Sequence, residues 1–256
     1  MLTPTKITQK TIEVGQVKAN LSAGKMLALG ILAGAFIGLA GVGATLGSAY
    51  GGNKLIGACI FPIGLIMVVI AGSELFTGNN LMIMATLDRK IAWRKMFKNW
   101  IIVLIGNCLG AILVALMVVY SGVLDAVSSL VIETATIKSN LSFLEALFRG
   151  IFCNFLVCIA VWMAFAAKTL SGKILAIFPP IMLFVLCGFE HSIANMYYGP
   201  AGIFLAAKNN LFAELTLETF FIQNLIPVII GNCLGGAIFV GCTYYLIYAD
   251  SHSKAK

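Results

Sequence analysis

Long apolar runs separated by short polar loops make up most of the chain. Six of them, at about 26–48, 55–86, 98–121, 144–168, 174–205 and 219–248, reach or exceed the roughly 20 residues that a helix needs to cross a bilayer. The second and fifth are too long for one crossing, and polar residues interrupt both. In the fifth, apolar Ile174 to Cys187 gives way to Gly188-Phe189-Glu190-His191-Ser192-Ile193-Ala194-Asn195-Met196 before apolar sequence resumes at Gly199. In the second, the interruption is Gly72-Ser73-Glu74-Leu75-Phe76-Thr77-Gly78-Asn79-Asn80. Ionisable groups at bilayer depth are costly and mark functional candidates. They also predict broken helices whose irregular backbone faces a protein-lined cavity. Ahead of the first run, residues 1–25 are polar, and Ile7, Val14, Val17 and Leu21 share one helical face, which predicts an interfacial helix. This segment is not read as a cleavable signal, because the apolar run starts too late and is too long.

Composition fixes the class. The 256 residues are 60% hydrophobic and 11% charged, against about a quarter charged in a soluble domain. An all-α polytopic membrane protein is expected. Charge then orients it. With both termini inside, thirteen basic residues lie inside: Lys6, Lys10, Lys18, Lys25, Arg89, Lys90, Arg94, Lys95, Lys98, Lys168, Lys173, Lys254 and Lys256. Only Lys54, Lys138, Arg149 and Lys208 lie outside. That bias agrees with both termini in the cytoplasm, as an even number of spans requires, and the cell (inner) membrane is the expected location. The net charge of +7 is thus read as setting topology, and no nucleic-acid partner is expected. The expected domains are an N-terminal segment 1–25, a six-helix channel domain 26–248 and a tail 249–256. The seven cysteines sit in apolar runs with no Cys-x-x-Cys and read as small buried hydrophobes.

The chain repeats itself. Asn99 to Gly110 and Asn224 to Gly235 share nine of twelve residues at an offset of 125, including Gly-Asn-Cys-Leu-Gly. Gly72, Glu74 and Asn79 recur as Gly188, Glu190 and Asn195 at an offset of 116. Two halves of three spans each, about 26–121 and 144–248, must run in opposite directions, because three is odd. An inverted repeat with a broken helix in each half points to a permeation site near the midplane. In the first span, Gly30, Gly34 and Gly38 line one face, suited to close packing within one subunit or between subunits.

Individual residues carry the chemistry. Glu74 and Glu190 are expected to accept hydrogen bonds from backbone N–H groups freed at the breaks, so they read as clamps rather than proton carriers. Asn79 and Asn195, which recur with them, read as fold-keeping too. Thr77 has a hydroxyl that serves either a local carbonyl or the pathway. Leu75 and Phe76 are lipid-facing bulk or a constriction. His191 has no counterpart in the first half, where Leu75 stands, and histidine changes charge near neutral pH. Even neutral, it donates a hydrogen bond to an anion or passes it a proton. Asn154 is interhelical glue or a pathway donor. Lys138 and Arg149 lie toward the outer mouth, where cations concentrate anions. No metal spacing, Ser–His–Asp set or phosphate loop is present, so neither an enzyme nor a cofactor is expected.

At these motifs the chain resembles the formate–nitrite transporter family. Ala71 to Gly78, Gly150 to Ala160 and Phe189 to Met196 carry the resemblance, which is nearest to the clostridial hydrosulfide channel branch. It implies a homopentamer of aquaporin-like protomers in the lipid bilayer, each with its own pore lined by the broken helices. It implies that Thr77 and His191 form the central polar pair. Phe61, Phe76 and Val157 would form one constriction, and Leu65, Leu75 and Phe184 the other. Asn154 and Lys138 would be further polar groups near the pathway. The expected function is passage of small inorganic or organic monovalent anions of weak acids, with hydrosulfide, formate and nitrite as candidates. A neutral-solute pore like a water or glycerol channel is the alternative. A non-conducting scaffold or sensor, binding a soluble partner at the basic loop 87–98, is another.

Overall fold

The computed structural model describes residues 1–211 and 215–249. Glu214 and most of the expected tail, with His252, Lys254 and Lys256, lie outside the described residues. Among the described residues all regular elements are helical. They are α1 (Pro4–Ala19), α2 (Ala23–Tyr50), α3 (Lys54–Ala71), α4 (Phe76–Asn79), α5 (Ile83–Leu87), α6 (Trp93–Tyr120), α7 (Ser128–Ser139), α8 (Phe143–Ala166), α9 (Leu170–Leu186), α10 (Ser192–Lys208) and α11 (Leu217–Tyr248). By length and composition α2, α3, α6, α8 and α11 can each cross a membrane, and α9 is an apolar helix of 17 residues.

Small residues set the packing. The Gly30-Gly34-Gly38 face of α2 lies against α6, so its contact is within the chain. A Cβ on Gly34 would strike the backbone of Asn107, and one on Gly110 the carbonyl of Ile31. The same contact recurs between α8 and α11, where Gly150 meets Val228 and Gly231, and Gly235 meets Ile151. Without a hydrophobic drive in lipid, such backbone-to-backbone approach maximises dispersion contact. Side-chain caps fix where both glycine-bearing helices begin. Ser22 caps α2, and Ser142 with Glu145 forms a capping box on α8.

Three elements depart from expectation. Helix α1 forms, but its buried residues are Ile7, Thr8, Thr11, Ile12, Gly15 and Ala19, while Val17 is 67% exposed. The face with small residues wins, because Gly15 lets α1 close onto Ala85 and Met82 of the α4–α5 segment. Thr8 and Thr11 bury at low cost by bonding the carbonyls of Pro4 and Ile7. The loop expected at 122–143 contains α7, which packs against α10. Helix α11 widens into π-helix at Phe221–Leu225 and Leu234–Cys242, whereas its sequence relative α6 is α-helical throughout. Pro227 has no N–H to give the carbonyl of Gln223, where the first widening lies.

Candidate functional site: two broken helices meeting at Thr77 and His191

The chain leaves helical geometry after Ala71 and again after Leu186. Gly72 at φ 79° and Gly188 at φ 70° supply the left-handed turns, which cost L-residues strain. The broken backbone is then held by one asparagine per break. At the first, Asn107 Oδ1 accepts from Phe76 N–H at 2.9 Å, and its Nδ2 donates to the carbonyls of Glu74 at 2.9 Å and Gly30 at 2.8 Å. At the second, Asn232 Oδ1 accepts from Ser192 N–H at 2.9 Å and Nδ2 donates to Glu190 O at 3.0 Å and Gly150 O at 2.8 Å. These asparagines are the second residues of the repeated Gly-Asn-Cys-Leu-Gly runs.

The glutamates therefore do not play the expected role of accepting backbone N–H groups. A break frees carbonyls as well as N–H groups, and an amide serves both where a carboxylate serves only one. The carboxylates take cations instead. Lys18 Nζ lies 2.6 Å from Glu74 Oε1, and Asn79 Nδ2 donates to Oε2 at 2.7 Å and to Asn99 Oδ1 at 2.8 Å. Lys138 Nζ lies 2.8 and 3.0 Å from the Glu190 oxygens, and Asn195 Nδ2 donates to Oε2 at 2.6 Å and to Asn224 Oδ1 at 2.7 Å. Each member of the second set follows its counterpart by 116 to 125 positions. Lys138 is thus a partnered cation, and it also stands 5.4 Å over the Tyr198 ring.

Between the breaks, His191 Nε2 lies 3.0 Å from Thr77 Oγ1, with both residues buried. His191 caps α10, its Nδ1 accepting from Ala194 N–H at 3.1 Å. A nitrogen that accepts a backbone N–H must present its lone pair. The neutral ring therefore carries its hydrogen on Nε2, facing Thr77. The Thr77 hydroxyl accepts from the ring and keeps its own hydrogen to give. Phe184 stacks on the imidazole at 5.9 Å, and Phe61 meets Phe184 edge-on at 5.6 Å. Asn154 braces the centre, its Nδ2 directed to Asn80 Oδ1, Asn232 O and Thr77 O at 2.7, 2.7 and 3.3 Å.

Two cavities flank this centre. The larger, about 510 Å³, is lined by His191, Phe61, Phe184, Glu190, Lys138 and Arg149 among others. The smaller, about 320 Å³, is lined by Leu65, Leu75, Gly72, Glu74 and Lys18 among others. Phe61 and Phe184, assigned to different constrictions from sequence, thus touch each other, while Leu65 and Leu75 share the opposite cavity. Phe76 and Val157 are buried and line neither cavity, and Phe76 packs edge-on against Trp100 at 6.1 Å.

Lys18, Asn99, Asn107, Asn224 and Asn232 had no role assigned from sequence. The signal was there for four of them, since Asn99 and Asn224 open the repeated run and Asn107 and Asn232 lie within its Gly-Asn-Cys-Leu-Gly. Lys18 had none, sitting 56 residues from Glu74 in an ordinary polar segment. Among the described residues no three His, Cys, Asp or Glu side chains gather to hold a metal ion.

Comparison with known proteins agrees over almost the whole chain. The formate/nitrite transporter family model matches residues 5–246. An uncharacterized transporter of Bacillus subtilis, YrhG, is 42% identical over 99% of this chain and 96% of its own. The formate channel FocA of Escherichia coli K12 is 38% identical over 97% and 95%. A solved FNT family ion channel superposes with a TM-score of 0.86 at 30% identity, covering 95% of this chain and 99% of that one. A pentameric formate channel with formate bound gives 0.76 at 36% identity, covering 89% and 98%. The family consists of channels and transporters rather than enzymes, and this chain belongs to the formate/nitrite transporter family.

Proposed function

We propose that the chain is a multi-pass inner-membrane pore for small monovalent anions of weak acids. It has six spans in two inverted three-helix halves, with both termini cytoplasmic. The observation that carries this reading is the buried Thr77–His191 contact, set between two cavities and walled by Phe61 and Phe184. A bare anion is costly to desolvate among such rings. The Thr77 hydroxyl, oriented by the Nε2–H of His191, gives its own hydrogen to the anion and offsets part of that cost. An anion that takes a proton from water in the flanking cavity, leaving hydroxide behind in solution, crosses as its nearly neutral acid. Formate is the first candidate, in keeping with the names of the relatives, and hydrosulfide and nitrite are the others. Asn154 holds the centre in shape, and Glu74–Lys18 with Glu190–Lys138 hold the half-helices. Assembly as a homopentamer follows the solved formate channel.

The test is flux of formate, nitrite and hydrosulfide into proteoliposomes across a range of pH. His191→Ala and Thr77→Ala are each expected to reduce flux tenfold or more or to alter its selectivity, since one hydrogen bond to a charged group is worth about 1.5–3 kcal/mol. Unchanged flux and selectivity in both variants would refute the role of the pair. Flux of uncharged solutes, insensitive to anion competition, would favour a neutral-solute pore instead.

A further inference from the structure

The two cavities flanking the Thr77–His191 pair differ in charge. Three cations, Lys54, Lys138 and Arg149, line the larger one, against a single carboxylate, Glu190. Lys138 is spent on Glu190. Lys54 is exposed and Arg149 half-buried, which leaves a surplus of two positive charges facing this cavity. A Cβ on Gly188 would come within 3.4 Å of Lys54 Nζ, which puts that ammonium over the second break. Glu145, one turn before Arg149 on the same helix, does not line the cavity; its carboxylate is held chiefly by the capping bonds to Ser142 and only lastly by the Arg149 charge, so it offsets Arg149 in part. The smaller cavity has Lys18 and Glu74, paired at 2.6 Å, and no surplus.

Resting on the anion-pore reading above, we infer that the larger cavity is a saturable anion reservoir and that the pore rectifies because only one mouth has one. An anion about 8 Å from two unit charges in water-like surroundings is concentrated roughly fivefold, and the effect fades as salt screens it. The larger cavity therefore fills at lower anion concentration than the smaller. Microscopic reversibility then constrains the ceiling. With no voltage and equal pH, equal anion on both sides must give no net flux, so flux per unit concentration at low anion is the same in both directions. The mouth that half-saturates early must also reach its maximal flux early. With both termini cytoplasmic, entry saturates at low external anion, while exit has a higher half-saturation and a correspondingly higher ceiling. Such a pore gathers a dilute anion and discharges an abundant one without any moving gate.

The test uses proteoliposomes sorted by orientation through capture on a C-terminal tag, with formate as the probe. Initial flux is measured against concentration from each side at zero potential and matched pH. The expected half-saturating concentration is roughly three- to tenfold lower from the Lys138 side, with maximal flux lower in proportion, and the difference shrinks in high salt of an impermeant anion. Lys54→Gln with Arg149→Gln is expected to bring the two sides together, whereas Arg149→Lys, which keeps the charge, preserves the difference. Saturable flux with the same half-saturation from both sides would overturn the reservoir and leave the anion pore standing. A difference that survives the double substitution would also overturn it. No flux of formate, nitrite or hydrosulfide from either side would overturn the pore itself.

Discussion

Asn107 and Asn232 each satisfy one N–H and two carbonyls with a single side chain, at depths where water is excluded. Leaving a buried polar group unpaired costs about 1–3 kcal/mol. Asn107→Ala and Asn232→Ala are therefore expected to destabilise by about 3 kcal/mol or more each. Gly72→Ala, which only forces a left-handed residue, is expected to cost about 1–2 kcal/mol. Thermal unfolding in detergent ranks the three, and an asparagine variant milder than the glycine one would contradict the clamp. At this scale the sequence was partly legible. Glu74, Glu190 and His191 stand out because charge or imidazole in an apolar run is conspicuous. The clamping asparagines are neutral, sit in the middle of α6 and α11, and gain their meaning only when α2 and α8 bring Gly30 and Gly150 against them.

Helices α1 and α7 are the elements that most exceeded expectation. Helix α1 delivers Lys18 to Glu74, and α7 delivers Lys138 to Glu190, with both glutamate side chains nearly fully buried. These helices are thus half of an ion pair each, not surface decoration. Breaking a buried pair by removing one partner costs about 3–5 kcal/mol, whereas replacing both by apolar residues of similar volume is often neutral. Lys18→Met alone is expected to destabilise strongly, and Lys18→Met with Glu74→Leu to recover most of the loss. A double variant as unstable as the single would show that Lys18 acts by something other than neutralising Glu74. The apolar runs were readable because spanning helices must be long and apolar. Helix α7 was not, because 12 mixed residues carry neither a strong period nor enough length to stand out. The buried face of α1 was misjudged because it is made of Thr, Gly and Ala as much as of Ile. Close approach, not hydrophobicity, selects it.

For the whole molecule, the partners of Glu74 all fall between residues 18 and 107, and those of Glu190 between 138 and 232. Each set closes on itself, and Thr77–His191 with the Asn154 bonds to Thr77 and Asn80 ties the two sets at the centre. Residues 1–121 and 122–256, produced together as separate chains, are therefore expected to assemble into a protein with the same anion flux. Co-purification through a tag on one piece checks this, and failure of the pieces to associate would show that the covalent link is needed.

That closure also has an order in time. A chain is made from its N terminus, and N-terminal parts settle first. Lys18 is made before Glu74, and Lys138 before Glu190, so in each half the cation of the pair precedes its acid. Were the order reversed, each glutamate would have to wait protonated, without its cation, while dozens of residues were added. The polarity of synthesis, cation first and acid second, is written into both halves of the chain.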